Sequence, residues 1–369
     1  MLADHIKQQA GGAVDIGGML SSMAAKIDKA QRFVLGHDAA EACIELMKSR
    51  PSNMIKAMPI CRLPYKTMWV ETSGGFSENT RDPIVAPIPA SQGTLIDGFD
   101  SQRGCMTIAW VHGPTAEHRE YQCNASPYGL WFDFSEDGDA IAMVRAHHAK
   151  VVANVEADLT TRLASQLIRI VCERIESRFS LSEDPDRIRE FMRRHEVWAR
   201  WVNDPHEVEA LQRHNRHMKV GLSPHGIGSV LAALAIGASF NSPDAFARMM
   251  GNWEQDIEGE GPFGQFFLTL LNSKNCMTQA PVSMAKLNKA RAKRSGNKPA
   301  LLDYTTINLT MSPARARAGA ASGLSREAMR LHLVRGHFKV RKTGVYWWNS
   351  FPRGDASKPA PERQRYEVA

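Results

Sequence analysis

From Leu20 onward, apolar side chains recur every three or four positions: Leu20, Met23, Ile27, Ala30 and Phe33, and then Ala39 to Met47 after Gly36-His37-Asp38. That is the period of helices with one buried stripe, and it predicts helix over 20–50, ending before Pro51. From Pro59 to about Glu136 the pattern shortens. Runs at Tyr65–Thr72, Cys105–Val111, Tyr121–Cys123 and Leu130–Phe134 are separated by Gly, Pro, Ser and Asn clusters, which predicts the strands of an antiparallel sheet. Met143, Val152, Val155, Leu159, Leu163, Leu167 and Ile170 then form a stripe that predicts one long helix over Asp139–Ile175.

Further helices are expected at Asp184–Val202, Pro205–His217, His225–Ser239 and Pro243–Asp256. Ser242 suits the N-cap of the last, with proline at its first position. Within 193–201 the order RRHEVWARW turns Val197, Trp198 and Trp201 inward. After Gly261–Gly264 and Gln265–Leu271, Ser283 can cap a basic helix from Met284 to Arg294 that stops at Gly296 and Pro299. A strand over Leu302–Leu309, a loop over 311–324 and a hairpin follow. His337–Arg341 and Val345–Trp348 flank a three-residue turn, Lys342-Thr343-Gly344. The last 15 residues read as a loose tail.

The fold class is therefore α+β: N-terminal helices and an antiparallel sheet over 1–137, a helical unit over 138–280, a basic helix and β-hairpin unit over 281–354, and a tail over 355–369. A two-stranded hairpin alone is marginal in water, so the C-terminal strands are expected to return to the first sheet.

Composition narrows the class. At 369 residues with 43% apolar side chains the chain can bury a substantial core. Its most apolar stretch, Ile227–Phe240, is shorter than the about 20 residues that cross a bilayer, and no membrane partner is expected. Asp4 and Asp15 stand where a secretory leader needs a basic patch and an apolar run, which points to the cytoplasm. Cysteines at 43, 61, 105, 123, 172 and 276 make no C-x-x-C pair and read as buried thiols. Loops of the G-x-x-x-x-G-K-[ST] and G-x-S-x-G types are absent, and no cofactor, metal or catalytic residue is assigned. His214 and His217 lie three apart on a helix and could share a face, but H-E-x-x-H does not occur.

Charge changes the picture most. Residues 281–353 hold 15 of the 46 Lys and Arg and only two acids, Asp303 and Glu327, a net of +13; the remainder has 31 bases and 37 acids, a net of −6. A polyanion is the natural partner of such a segment, because neutralised phosphates release counterions whatever the base sequence. Lys286, Lys289 and Lys293 share one face of the basic helix with Arg291 and Arg294 beside them, while Met284, Leu287 and Ala290 supply the other. In the hairpin, His337, Lys339 and Arg341 alternate with Phe338 and Val340. Tyr346 and Trp348 fall on one face of the second strand, so an aromatic ring stands beside the basic row. Cations beside aromatic faces suit single-stranded nucleic acid. The expected nucleic-acid contacts are Lys286, Lys289, Arg291, Lys293, Arg294, Arg335, His337, Lys339, Arg341 and Trp348, with DNA and RNA both open.

Three stretches, RLPYKTMWVE at 62–71, NSKNCMTQAPVSMAKLNKARAKRSGNKPALLDYTTINL at 272–309 and HLVRGHFKVRKTGVYWWNSFPRGD at 332–355, carry a resemblance. They are similar to an uncharacterised group of bacteriophage and prophage proteins with LNKAR-x-K-x-G-K-P and C-terminal RGHF…W…RG segments. Ser295-Gly296-Asn297-Lys298 is longer than that group's G-K-P turn. The resemblance implies origin in a phage or mobile element and no specific activity. The expectation is a phage-encoded nucleic-acid-binding protein, regulatory or host-interfering. The alternatives are a protein that binds an acidic host protein, and a metal-independent nuclease using His332 or His337 with Arg335.

Overall fold

The computed structural model describes residues 1–12, 15, 18–47, 49–73, 89–112, 122–156, 162–179, 184–226, 263–273, 277–294 and 300–309, together with the strand backbones 332–334, 337–341, 344–348 and 351–353. Apart from His225 and Gly226, which lie in a turn, the helices expected at His225–Ser239 and Pro243–Asp256 and the loop at 311–324 lie outside these residues.

The fold is α+β, built on a nine-stranded mixed sheet. Its strands are β1 (Gln31–Leu35), β2 (Thr67–Ser73), β3 (Pro89–Gly98), β4 (Arg103–His112), β5 (Gln122–Ala125), β6 (Tyr128–Asp133), β7 (Met218–Leu222), β8 (Met277–Val282) and β9 (Tyr304–Leu309). The order is β7-β6-β4-β3-β2-β1-β9-β8, with β5 paired to β4 off this path. From β2 to β7 every pairing is antiparallel, as expected, but β1 runs parallel to both β2 and β9. One sheet thus takes strands from the first 133 residues, from 218–222 and from 277–309.

Strand β1 corrects the helical reading of 20–50. The helix there, α2 (Met19–Ile27), stops at Ile27, after α1 (Leu2–Gln9). Ala30 and Phe33 continue the helical spacing by coincidence, because Phe33 and Leu35 are also two apart, and both are buried on one face of β1. Helix resumes with α3 (His37–Met47) and α4 (Pro51–Ala57), the latter with proline in its first turn.

Alternation along the strands divides the core between the two faces of the sheet. Met68, Val70, Ile96 and Ile108 pack with Phe33 and Leu35 into the larger core, while Trp69, Leu95, Ala109 and Val111 pack against α1 and α2 on the other face. Gly93 lies under the Trp69 ring, where any Cβ would collide with the indole. Glu71 shares the Trp69 face yet is buried. Its carboxylate accepts from the backbone N–H of Leu2 at 2.6 Å and of Ala3 at 3.4 Å, and from the Trp69 indole at 3.2 Å, so it caps α1.

The single helix expected over Asp139–Ile175 is two, α5 (Ala140–Glu156) and α6 (Arg162–Glu176), packed together. His148 Nδ1 lies 2.8 Å from Glu176 Oε1. In a continuous helix these residues would be about 42 Å apart, so the chain reverses between them. Likewise Asp184–Val202 breaks at His195 into α7 (Pro185–Arg194) and α8 (Glu196–Ala199). Helix α9 (Pro205–His217) is as expected, and Trp198 and Trp201 pack against the small cluster of Ile188, Met192, Val208 and Leu211. Residues 263–272 form α10, whose Phe266, Phe267, Leu268 and Leu270 enter the larger core. Gln265 on α10 is fully buried, bonded to His214 Nε2 at 2.7 Å and to the Met54 carbonyl at 2.7 Å. The five described cysteines, Cys43, Cys61, Cys105, Cys123 and Cys172, are buried and form no disulfide.

At the C-terminal end, β10 (His332–Val334) pairs with β13 (Phe351–Arg353) and β11 (His337–Arg341) with β12 (Gly344–Trp348), as two separate two-stranded sheets. The strand that returns to the first sheet is β9, together with β8. No described helix is long and apolar enough to cross a membrane.

Candidate nucleic-acid interface

The expected basic helix is α11 (Ala285–Arg294), the connection between the antiparallel pair β8 and β9. Its start follows from two oxygens: Ser283 Oγ accepts from the Ala285 N–H at 3.4 Å, and Asp303 Oδ1 accepts from the Met284 N–H at 2.6 Å. One of the two acids in the basic segment is thus engaged in holding the helix.

Packing does not hold α11. None of its residues is buried, and Leu287 is 49% exposed. Met284, Leu287 and Ala290 therefore do not form the packed face that the sequence suggests. The reason lies in the neighbouring edge strand, where Thr278 to Pro281 are themselves exposed and offer no apolar wall. Polar bonds fasten the helix instead. Asn288 Nδ2 donates to the Leu301 carbonyl at 2.9 Å, and Asn288 Oδ1 accepts from the Leu301 N–H at 2.7 Å. Residues 301–303 are tied down in turn. The Leu302 N–H donates to Asp4 Oδ1 at 3.0 Å, and Arg32 Nε donates to the Asp303 carbonyl at 2.6 Å.

Lys286, Lys289, Lys293 and Arg294 face solvent, and Arg291 is half-buried with its Nε enclosed and, among the described residues, without a hydrogen-bond partner. Among the described residues, none of the five forms an ion pair. The helix is a row of cations with no carboxylate partner among the described residues, on a polar mount. Asn288 was the anchor that sequence reasoning passed over. Its signal was a residue that favours caps and turns, set mid-helix among strong helix formers.

The hairpin register places Lys339 opposite Tyr346 and His337 opposite Trp348, so basic and aromatic positions are direct cross-strand neighbours. Arg341 pairs with Gly344, which leaves two residues rather than three between the strands. Arg335 lies outside the described residues. The pairing of β11 and β12 with each other alone does not bring them beside α11 through the sheet.

His214 and His217 do not form a ligand pair. His214 is buried on Gln265, and His217 Nδ1 lies 2.6 Å from the Asp133 carbonyl. Among the described residues no group of three or more His, Cys, Asp or Glu is placed to hold a metal ion. No family model, curated protein or solved structure matches the chain.

Proposed function

We infer that the protein binds nucleic acid through α11, as a product of a phage or mobile element. The observation that carries this reading is the state of the helix: Lys286, Lys289, Arg291, Lys293 and Arg294 project from an element with no buried residue and no described carboxylate partner. A solubilising helix needs no polar mount of its own. A phosphate backbone supplies the missing counter-charge and an acceptor for Arg291 Nε. The +13 balance of 281–353 extends the attraction beyond the helix, and the basic and aromatic pairs of β11 and β12 provide a second contact row, at His337, Lys339, Arg341 and Trp348.

The test is fluorescence anisotropy with labelled single-stranded DNA, duplex DNA and RNA at several salt concentrations, comparing the full chain with K286A/K289A/K293A. Loss of three phosphate contacts lowers affinity for every sequence and reduces the salt slope by about 2 to 3. An unchanged slope in the triple variant refutes the role of α11. If no polymer binds at all, the same exposed cations and the exposed Leu287 describe a surface for an acidic protein.

A further inference from the structure

On the face of the sheet that carries α1 and α2, the apolar core gives way to a polar cluster. Asp97 and Thr107 continue the inward rows of Leu95 and Ala109, and the turn after β7, residues 223–226, brings Ser223 and His225 to them. All four polar residues are buried. The opposite wall is α2, on which Ser22 and Lys26 stand one turn apart on the same side.

His225 is fixed by its own turn. Its N–H donates to Ser223 Oγ at 3.1 Å, Ser223 Oγ and Thr107 Oγ1 are 2.9 Å apart, and the Gly226 N–H donates to the Ser223 carbonyl at 3.0 Å. A side chain at Gly226 would strike the Pro127 carbonyl, so the turn is seated directly on the backbone before β6. The ring that this turn holds places Nδ1 2.8 Å from Ser22 Oγ. Its Nε2 is enclosed and, among the described residues, has no hydrogen-bond partner. His148 shows how a structural histidine differs: its Nδ1 is bonded to Glu176 and its Nε2 accepts from the Leu222 N–H at 3.2 Å. His225 leaves one nitrogen bare and commits the other to a serine.

The charges nearby suit that pair. Lys26 Nζ donates to Asp97 Oδ2 at 2.6 Å, and Thr67 Oγ1 donates to Asp97 Oδ1 at 3.1 Å. Burial pulls the His225 ring down to about 4, with the Asp97 carboxylate opposing and Lys26 assisting, so the ring is neutral at pH 7 and has a lone pair to accept a proton. Ser22 is half-buried and the Lys26 side chain is 42% exposed, which puts the hydroxyl and the ammonium at the mouth of the cluster and the imidazole behind them.

We propose that Ser22 is a nucleophile for short acyl esters, with His225 as its general base and Lys26 as the cation beside the developing oxyanion. Ser22 Oγ bonds to the ester carbonyl carbon while its proton passes to His225 Nδ1, and the carbonyl π electrons move onto oxygen. Of the three N–H donors of Lys26, one is committed to Asp97 and two are left for that oxygen. Collapse restores the carbonyl, breaks the bond to the alcohol oxygen and returns the proton from His225 to the leaving alcohol. Water then attacks acyl-Ser22 and gives its proton to His225, and a second collapse releases the carboxylic acid and reprotonates Ser22. A half-buried hydroxyl admits a short acyl group. The site uses no residue of α11 and does not rest on the nucleic-acid reading.

The test treats the full-length protein with an alkyl fluorophosphonate, which forms a Ser Oγ–P bond with loss of fluoride, and locates the adduct by peptide mass spectrometry. Hydrolysis of p-nitrophenyl acetate is followed in parallel. The adduct is expected on Ser22. Ser22→Ala, which favours the helix, should abolish that adduct and lower ester hydrolysis about a hundredfold with no loss of melting temperature. His225→Gln should slow labelling of Ser22 at least about tenfold, and Lys26→Met should do the same. K286A/K289A/K293A should leave both readouts unchanged. A folded wild-type protein without adduct on Ser22, hydrolysis undiminished in Ser22→Ala, or labelling undiminished in His225→Gln overturns the proposal. The wild-type labelling decides even where a variant fails to fold.

Discussion

Glu71 and Glu207 are buried carboxylates that solve the same problem at two helix starts. Glu71 caps α1 from β2. Glu207 on α9 accepts from both the N–H and the hydroxyl of Ser52, each at 2.9 Å, and so caps α4. Replacing Glu71 by alanine leaves two backbone donors and an indole N–H without their acceptor, and should cost about 1–3 kcal/mol. Thermal denaturation reads this directly, with a smaller loss for Glu71→Gln because one acceptor oxygen survives. Neither cap was legible in the sequence, because the partners are 69 and 155 residues away and only the fold brings them together. Three histidines act in the opposite sense. Burial pushes His147, His214 and His225 down to about 4, so all three are neutral in the folded protein at pH 6. On unfolding they regain an ordinary value near 6.5, and the unfolded chain then binds more protons. Their contribution is present above pH 6.5 and is lost as pH falls towards 4. Denaturation midpoints measured between pH 7 and 4.5 should fall, and His214→Gln should remove about 1 kcal/mol per pH unit from the slope.

At the scale of elements, long periodic segments were readable and their interruptions were not. Met143 to Ile170 marked this stretch as helix but not its buried face: Ile170 is 58% exposed, and Ile141, Val144, Val151, Ile168, Val171 and Ile175 are the buried residues, because a single period was carried across the reversal that sets His148 against Glu176. Phe33 fitted two periods at once, and its place in β1 was decided by neighbours on either side of the strand, one of them more than 270 residues later in the chain. The α11 region shows the converse. Its extent and its cations were legible, since Ser283 and the charge pattern are local signals, while its mount was not. Asn288→Ala should loosen α11 alone. Hydrogen exchange of the amides of 285–294 should rise about tenfold to a hundredfold, with little change in the global melting temperature, because no apolar area is lost with the helix.

For the whole molecule, the sheet order joins the ends of the chain. Strand β9 covers β1, and β8 covers β9, so a chain ending at Gln279 would leave β1 as a bare edge flanked by Phe33 and Leu35. That truncation should elute as aggregate in size-exclusion chromatography, unlike K286A/K289A/K293A, which removes charge and leaves the sheet intact. The charge asymmetry of the sequence maps onto this arrangement: β9 is the last strand to join the sheet, and the +13 segment extends on both sides of it. The parallel pairing of β1 with β9 also sets a clock for synthesis. At roughly 5–20 residues per second, a ribosome needs on the order of 15 to 55 s to travel from Leu35 to Tyr304. Throughout that interval the nascent chain carries β1 with one edge unpaired, so yield in a host should depend on chaperone supply and improve when growth is cooled.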